Sequence, residues 1–129
     1  MDPDQLRRAA ATAPIASVQS EYSLLERSVE REILPECERL SIAFLAFAPL
    51  MRGLIARRFE RSNELDPGDS RRSGAYPRLH GEALDANREL AEAVWEIADR
   101  RSAPPSAVAI AWLLQSSPAV VPIPGAKRV

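Results

Sequence analysis

Apolar positions along the chain follow two spacings, one helical and one extended, and the two alternate. The first residues carry a helix-start signal. Asp2 is a good N-cap, Pro3 suits the first helical position, and Gln5 stands where a capping-box partner belongs. Leu6, Ala9, Ala10 and Ala13 give a weak apolar stripe that Pro14 stops. Ile15-Ala16-Ser17-Val18-Gln19 is short, with β-branched residues at Ile15 and Val18, and predicts a strand. Val29, Ile33, Cys37 and Leu40, spaced four, four and three apart, mark a helix face. Pro35 falls inside that stretch, so a first turn is expected near Val29 and the main helix from about Leu34.

Ile42-Ala43-Phe44-Leu45-Ala46-Phe47 has no polar residue, the pattern of a strand covered on both faces, and Pro49 ends it. Residues 52 to 81 read as one long loop, with Asp66-Pro67-Gly68-Asp69 and Ser73-Gly74 as turn signals. Helical periodicity returns at Leu90, Val94, Ile97 and Arg101, then breaks at Ser102-Ala103-Pro104-Pro105. Val108, Ala111, Trp112 and Leu114 predict a second, apolar helix, and Ser116-Ser117-Pro118 breaks it. Ala119-Val120-Val121-Pro122-Ile123 is the last expected strand, closed by Pro124-Gly125. This order predicts parallel βαβ units with right-handed crossovers. Three parallel strands with a loop of about 30 residues make an odd complete domain, because long loops in compact domains are usually functional. The expectation is a piece of a larger α/β fold.

Composition narrows the function. Of 129 residues, 46% are hydrophobic and 27% charged, which excludes a disordered whole. Lys and Arg number 17 against 18 Asp and Glu, so no basic excess points to nucleic acid or an acidic membrane. Cys37 is the only cysteine, which excludes an intrachain disulfide framework and a thiolate-cluster zinc site. The longest apolar stretch, Ile42 to Met51, is ten residues with Pro49 inside it, too short to span a bilayer. The opening MDPDQLRRAA lacks the apolar core of a signal peptide, so a cytoplasmic, reducing location is expected. The only Lys is Lys127, the only His is His80, and the two Tyr are Tyr22 and Tyr76. Chemistry that needs Lys and His in a protected interior is short of material.

Three segments together resemble the aldo-keto reductase superfamily: Ala16-Ser17-Val18-Gln19-Ser20-Glu21-Tyr22-Ser23-Leu24, Phe47-Ala48-Pro49-Leu50-Met51-Arg52-Gly53-Leu54, and Val121-Pro122-Ile123-Pro124-Gly125-Ala126-Lys127-Arg128. Arg71-Arg72, Pro77-Arg78, Asn87 and the Ala109-to-Leu114 helix add weaker support. The resemblance runs through nearly the whole chain in order. It implies a partial TIM (β/α)8 barrel, about strands six to eight with flanking helices, so that residues 1–129 form the C-terminal part of an NADP-dependent oxidoreductase domain. The family's catalytic Asp, Tyr, Lys and His lie on earlier strands and loops, and its last helix, with adenine contacts, would follow Val129. No catalytic residue is therefore expected in this chain, and no metal.

The same resemblance implies a cofactor-binding set. Gln19 would bind the nicotinamide carboxamide; by position alone it is equally a solvent-facing residue at a strand end. Phe47 would stack on the nicotinamide ring, for which a π face suffices, or pack in the core as most Phe residues do. Ala48 replaces a usual Ser and gives up one pyrophosphate hydrogen bond, worth about 0.5–1.5 kcal/mol. Backbone N–H groups from Leu50 onward would hold phosphate, and the Arg52 guanidinium suits bidentate pairing with it. Gly125 permits close backbone approach, Ala126 lacks the usual hydroxyl, and Lys127 with Arg128 would neutralise a 2′-phosphate, favouring NADP (NADPH) over NAD. Read without the resemblance, these last residues are a charged chain terminus. Cys37, Trp95 and Trp112 read as packing residues. Residues 52–78 hold seven Arg against four acids, a mildly basic loop that in relatives covers the cofactor.

Three functions stay open: part of a carbonyl reductase acting on a small-molecule aldehyde or ketone, a non-catalytic nucleotide-binding or barrel-completing module, or a degraded gene product. Departures from the family pattern at Ser41, Ala48, Met51 and Ala56-Arg57 lean slightly towards the last. Expected partners are a complementing half-barrel chain or a second copy. Nucleic acid and membrane are not expected.

Overall fold

Asp2 caps the first helix with a full capping box: its Oδ1 accepts from the Gln5 N–H at 2.8 Å, and Gln5 Oε1 accepts from the Asp2 N–H at 3.1 Å. The computed structural model describes residues 2–125. They form α1 (Pro3–Thr12), β1 (Ser17–Glu21), α2 (Ile33–Leu40), β2 (Ala43–Phe47), α3 (Gly81–Arg100), α4 (Pro105–Ser116) and β3 (Val120–Ile123). The chain divides into two units, Met1–Pro49 with Ile110–Val129, and Leu50–Ala109.

In the first unit the three strands are parallel and lie in the order β1-β2-β3, as the βαβ reading requires. Pairing with β2 sets the bounds of β1. Ser17 faces Ala43 and Glu21 faces Phe47, so the strand begins two residues after Ile15 and runs two past Gln19. The ladder extends one step further, where the Tyr22 N–H donates to the Phe47 carbonyl at 3.3 Å. Pro122 sits inside β3, which is tolerable because β3 is an edge strand.

Burial alternates along β2, which corrects the expectation of a strand covered on both faces. Phe44 and Ala46 are fully buried, whereas Ala43, Leu45 and Phe47 are half-buried. The buried face, with Val18 and Val120 beside Phe44, packs on Leu6, Leu34, Cys37 and Leu113. Burial pushes the Cys37 thiol above its ordinary pKa, as befits a small core residue. Glu36 holds α1 against α2: its carboxylate meets Arg39 at 2.6 Å and Arg7 at 3.4 Å. Arg39, and after it Arg7, hold that carboxyl below the usual range.

In the second unit, residues 50–80 contain only short 3-10 turns, as the loop reading expects. The helix after them starts at Gly81, well before the predicted stripe. Its buried residues are Leu84, Ala91, Val94, Trp95 and Ala98; Leu90 and Ile97 are 60% and 40% exposed. Two of these, Ala91 and Ala98, are alanines, weak markers beside Leu and Ile. In α4 the predicted face is also displaced, with Ala109 and Leu113 buried and Leu114 58% exposed. Trp95 does pack: it is 5% exposed and its Nε1–H donates to the Ile55 carbonyl at 2.9 Å.

Candidate cofactor site

Within the first unit, Gln19 and Phe47 project from the same face of the sheet. Val18 occupies the helix-covered face, so its neighbour Gln19 lies on the other, and Phe47 alternates likewise with Ala46. The register runs Gln19–Leu45–Val121 in one row and Glu21–Phe47–Ile123 in the next row on that face. The two rows stand about 7 Å apart along the strands. Gln19 is exposed, Phe47 half-buried, and Val121 and Ile123 are 46% and 39% exposed. Gln19 is the third residue of a five-residue strand, not its end. Extended pairing with β2, which local propensity does not encode, carries the strand on to Glu21.

Parallel pairing brings the C-terminal ends of all three strands to one edge, where Glu21, Phe47 and Ile123 are neighbours. Behind Glu21 the chain turns tightly. Ser23 and Glu26 pair backbone to backbone, and Ser23 Oγ accepts from the N–H groups of Leu25 and Glu26 at 3.2 and 3.1 Å. Tyr22 is fully buried, edge-on to Phe44, with its hydroxyl donating to Glu30 Oε1 at 2.8 Å. Burial pushes that phenol up; a hydrogen bond with Ser116 opposes the rise, and the Glu30 carboxylate adds to it. Arg27 forks onto both Glu30 oxygens at 2.8 Å and lies 5.2 Å from the centre of the Trp112 ring. A groove of about 480 Å³ opens beside this cluster, lined by Tyr22, Arg27, Glu38, Trp112 and Gln115 among others.

Ala48 follows Phe47 with a left-handed backbone, φ 50°. Gly125 is exposed. Ala126, Lys127 and Arg128 lie outside the described residues.

The second unit holds Leu50 and Arg52 on one strained turn. Leu50 has φ −105° and ψ 18°, and Met51, Arg52 and Gly53 follow with φ of 46°, 53° and 107°. A right-handed residue followed by a left-handed one turns successive N–H groups towards one side, a concavity that suits an anion. Only Gly takes such angles freely, and two of these positions, Met51 and Arg52, lack that freedom. Arg71 braces the turn: its Nη1–H donates to the Arg52 carbonyl at 2.8 Å while Asp69 holds the other side of the guanidinium. The Arg52 guanidinium lies 4.3 Å from the Tyr76 ring centre, Arg57 4.9 Å from Trp95 and Arg71 5.2 Å from Phe59. The basic loop therefore spends several of its Arg side chains on internal fastening. Sequence reading missed these aromatic partners because they lie far along the chain from each Arg.

Among the described residues, no group of three or more His, Cys, Asp or Glu side chains is placed to hold a metal. No helix among them is long and apolar enough to cross a membrane.

A three-strand parallel sheet backed by helices, with polar and aromatic side chains beside its C-terminal edge, is a portion of a TIM-type barrel. The structure of a glycerol dehydrogenase from Gluconobacter oxydans superposes with a TM-score of 0.79 at 25% identity, over 94% of this chain and 37% of that one. A Glycine max protein named "Probable aldo-keto reductase 1" is 39% identical over 127 residues, covering 98% of this chain and 36% of that protein. The aldo/keto reductase family matches residues 1–129 in full. The chain belongs to the aldo/keto reductase family, and it spans little more than a third of the length of these two relatives.

Proposed function

We propose that this chain is the cofactor-side portion of an NADPH-dependent carbonyl reductase. The observation that carries the reading is the placing of Gln19 and Phe47 in successive rows on the less covered sheet face, with Phe47 at the C-terminal edge where barrels keep their chemistry and Gln19 one row behind it. The donor set fits the group. Gln19 offers an amide that can both accept from and donate to a carboxamide, and Phe47 offers a ring face. The Leu50–Gly53 turn offers oriented N–H groups to phosphate, and Lys127 with Arg128 offers charge to a 2′-phosphate. The bound nicotinamide supplies the hydride. The residues of this chain bind and orient; none of them is assigned the proton transfer to the carbonyl oxygen. By itself the 129-residue chain is expected not to turn over an aldehyde with NADPH, since general acid catalysis contributes about 10²–10⁴-fold.

β1 and β3 are the edges of the described sheet, each paired on one side only. This supports a complementing stretch of barrel, in the same polypeptide or in a second one, as the partner of this chain. Substrate class and cytoplasmic location follow the family reading.

The direct test is titration of NADPH into wild type, Gln19→Ala and Phe47→Ala. Weaker binding in both variants, at unchanged helicity, is the expected result. Binding that neither substitution alters overturns the assignment of this face.

A further inference from the structure

Arg52 is held twice by one stretch of the second unit. Its carbonyl accepts the Arg71 Nη1–H at 2.8 Å, and its guanidinium lies 4.3 Å from the centre of the Tyr76 ring. The stretch that supplies both contacts is itself fastened. Asp69 accepts from the Arg71 N–H at 2.9 Å and grips the Arg71 side chain. The Tyr76 N–H donates to the Ser73 carbonyl at 3.3 Å, and the Tyr76 carbonyl accepts the N–H of buried Leu79 at 2.9 Å. Asn87 of α3 then donates to the Arg78 carbonyl at 2.9 Å. Arg52 has φ 53° and ψ 23°, a backbone that costs free energy in any residue with a Cβ and persists where the surroundings enforce it.

Among the described residues four guanidinium groups lie over aromatic rings, and three of those are paired with carboxylates. Arg27 pairs with Glu30, Arg57 with Glu60 and Arg71 with Asp69. Arg52 is exposed, and among the described residues no carboxylate pairs with it. Stacking engages the face of a guanidinium and leaves the N–H donors in its plane available for a planar, bidentate acceptor. Arg52 is therefore oriented and still charged, on the turn whose backbone N–H groups form a concavity for an anion. We propose that Tyr76 is the positioning residue for Arg52, its ring holding the guanidinium beside the 50–53 turn so that the free edge forks onto the phosphates of a diphosphate ligand. A side chain already resting on a ring loses less freedom when it clamps phosphate, which is worth about two- to tenfold in affinity. The ring face does this work and the Tyr76 hydroxyl does not.

The proposal rests on the cofactor reading for the identity of the anion, and calorimetric titration with two probes, inorganic pyrophosphate and NADPH, tests it. Inorganic pyrophosphate carries no nicotinamide, so failure here and failure of the Gln19 and Phe47 test are separate results. Arg52→Ala is expected to weaken both probes. Tyr76→Phe keeps the ring and is expected to bind both as the wild type does, whereas Tyr76→Leu is expected to bind both about two- to tenfold more weakly at unchanged helicity. In the Arg52→Ala background Tyr76→Leu is expected to add nothing, because residues that act through one another are not additive. A merely structural Tyr76 would give the same loss with or without Arg52. Four results would each overturn the proposal: a wild type that binds neither probe, an Arg52→Ala chain that binds both undiminished, a Tyr76→Phe chain as weak as Tyr76→Leu, or an equal loss from Tyr76→Leu in the two backgrounds.

Discussion

Tyr22 and Glu30, eight residues apart, are joined by a 2.8 Å hydrogen bond from a fully buried phenol to a carboxylate that Arg27 grips with both arms. The bond fastens the turn behind β1 to the segment leading into α2. Because the Tyr22 N–H also donates to the Phe47 carbonyl, the same residue closes the sheet at its C-terminal edge.

Arg27 first, with Tyr22 adding to it, holds the Glu30 carboxyl below its ordinary value of 4.5. A carboxyl lowered in the folded state contributes stability above its unfolded pKa, and that stability is lost as pH falls through the folded value. Glu30→Gln is expected to cost about 1 kcal/mol at neutral pH, a figure discounted for the part of Glu30 that water reaches. It is also expected to flatten the acid limb of a urea-midpoint profile taken below pH 4.5. A variant with the wild-type acid limb would remove Glu30 from the acid response.

Ser41 ends α2 in the left-handed region, with φ 56° and ψ 38°, and its N–H reaches back to the carbonyls of Cys37 and Glu38. Glycine takes this position without strain. Ser41→Gly is therefore expected to raise stability by about 0.5–1 kcal/mol, seen as a higher midpoint in thermal unfolding.

At Gly53 the direction reverses. The backbone has φ 107°, and a Cβ placed there would stand 3.2 Å from Arg71 Nη1 and 3.3 Å from Arg58 Cβ. Gly53→Ala is expected to cost about 1–3 kcal/mol and to loosen the Arg71 brace on the Arg52 carbonyl. Faster amide exchange confined to the 50–54 turn would report it.

Trp95→Phe keeps most of the buried ring but strands the Ile55 carbonyl, which accepts the indole N–H at 2.9 Å. A buried acceptor left without its donor costs about 1–3 kcal/mol. Chemical denaturation is expected to show a loss of that order, with an unchanged slope.

Local signals were the legible part of this chain. The Asp2–Gln5 capping box, the proline stops and the strand–helix alternation depend on neighbours, and the structure has them where the residues say. What depended on distant partners was not legible. Gln19 reads as a strand end because nothing in 15–21 reveals that β2 pairs as far as Phe47. The start of α3 hides because its buried side begins with Leu84 and continues through alanines, while Leu90 and Ile97 draw the eye to the exposed side. Of the candidate site, the resemblance supplied the residues. The shared face of Gln19 and Phe47, the strained turn at 50–53 and the stacking of Arg52 on Tyr76 are matters of register and packing that no linear motif states.

The cofactor reading meets its sharpest test in a comparison of NADP with NAD at low ionic strength, on wild type and on Lys127→Ala with Arg128→Ala. The chain spans little more than a third of these relatives, so binding is expected to be weak, and because Lys and Arg contacts to phosphate are screened by salt it is expected to fall as salt rises. The wild type is expected to bind NADP more tightly than NAD, and the double substitution to bring the two to equal affinity by weakening NADP alone. Equal affinity in the wild type, unchanged by the substitutions, would contradict the assignment of this chain to the NADP-binding side of a reductase.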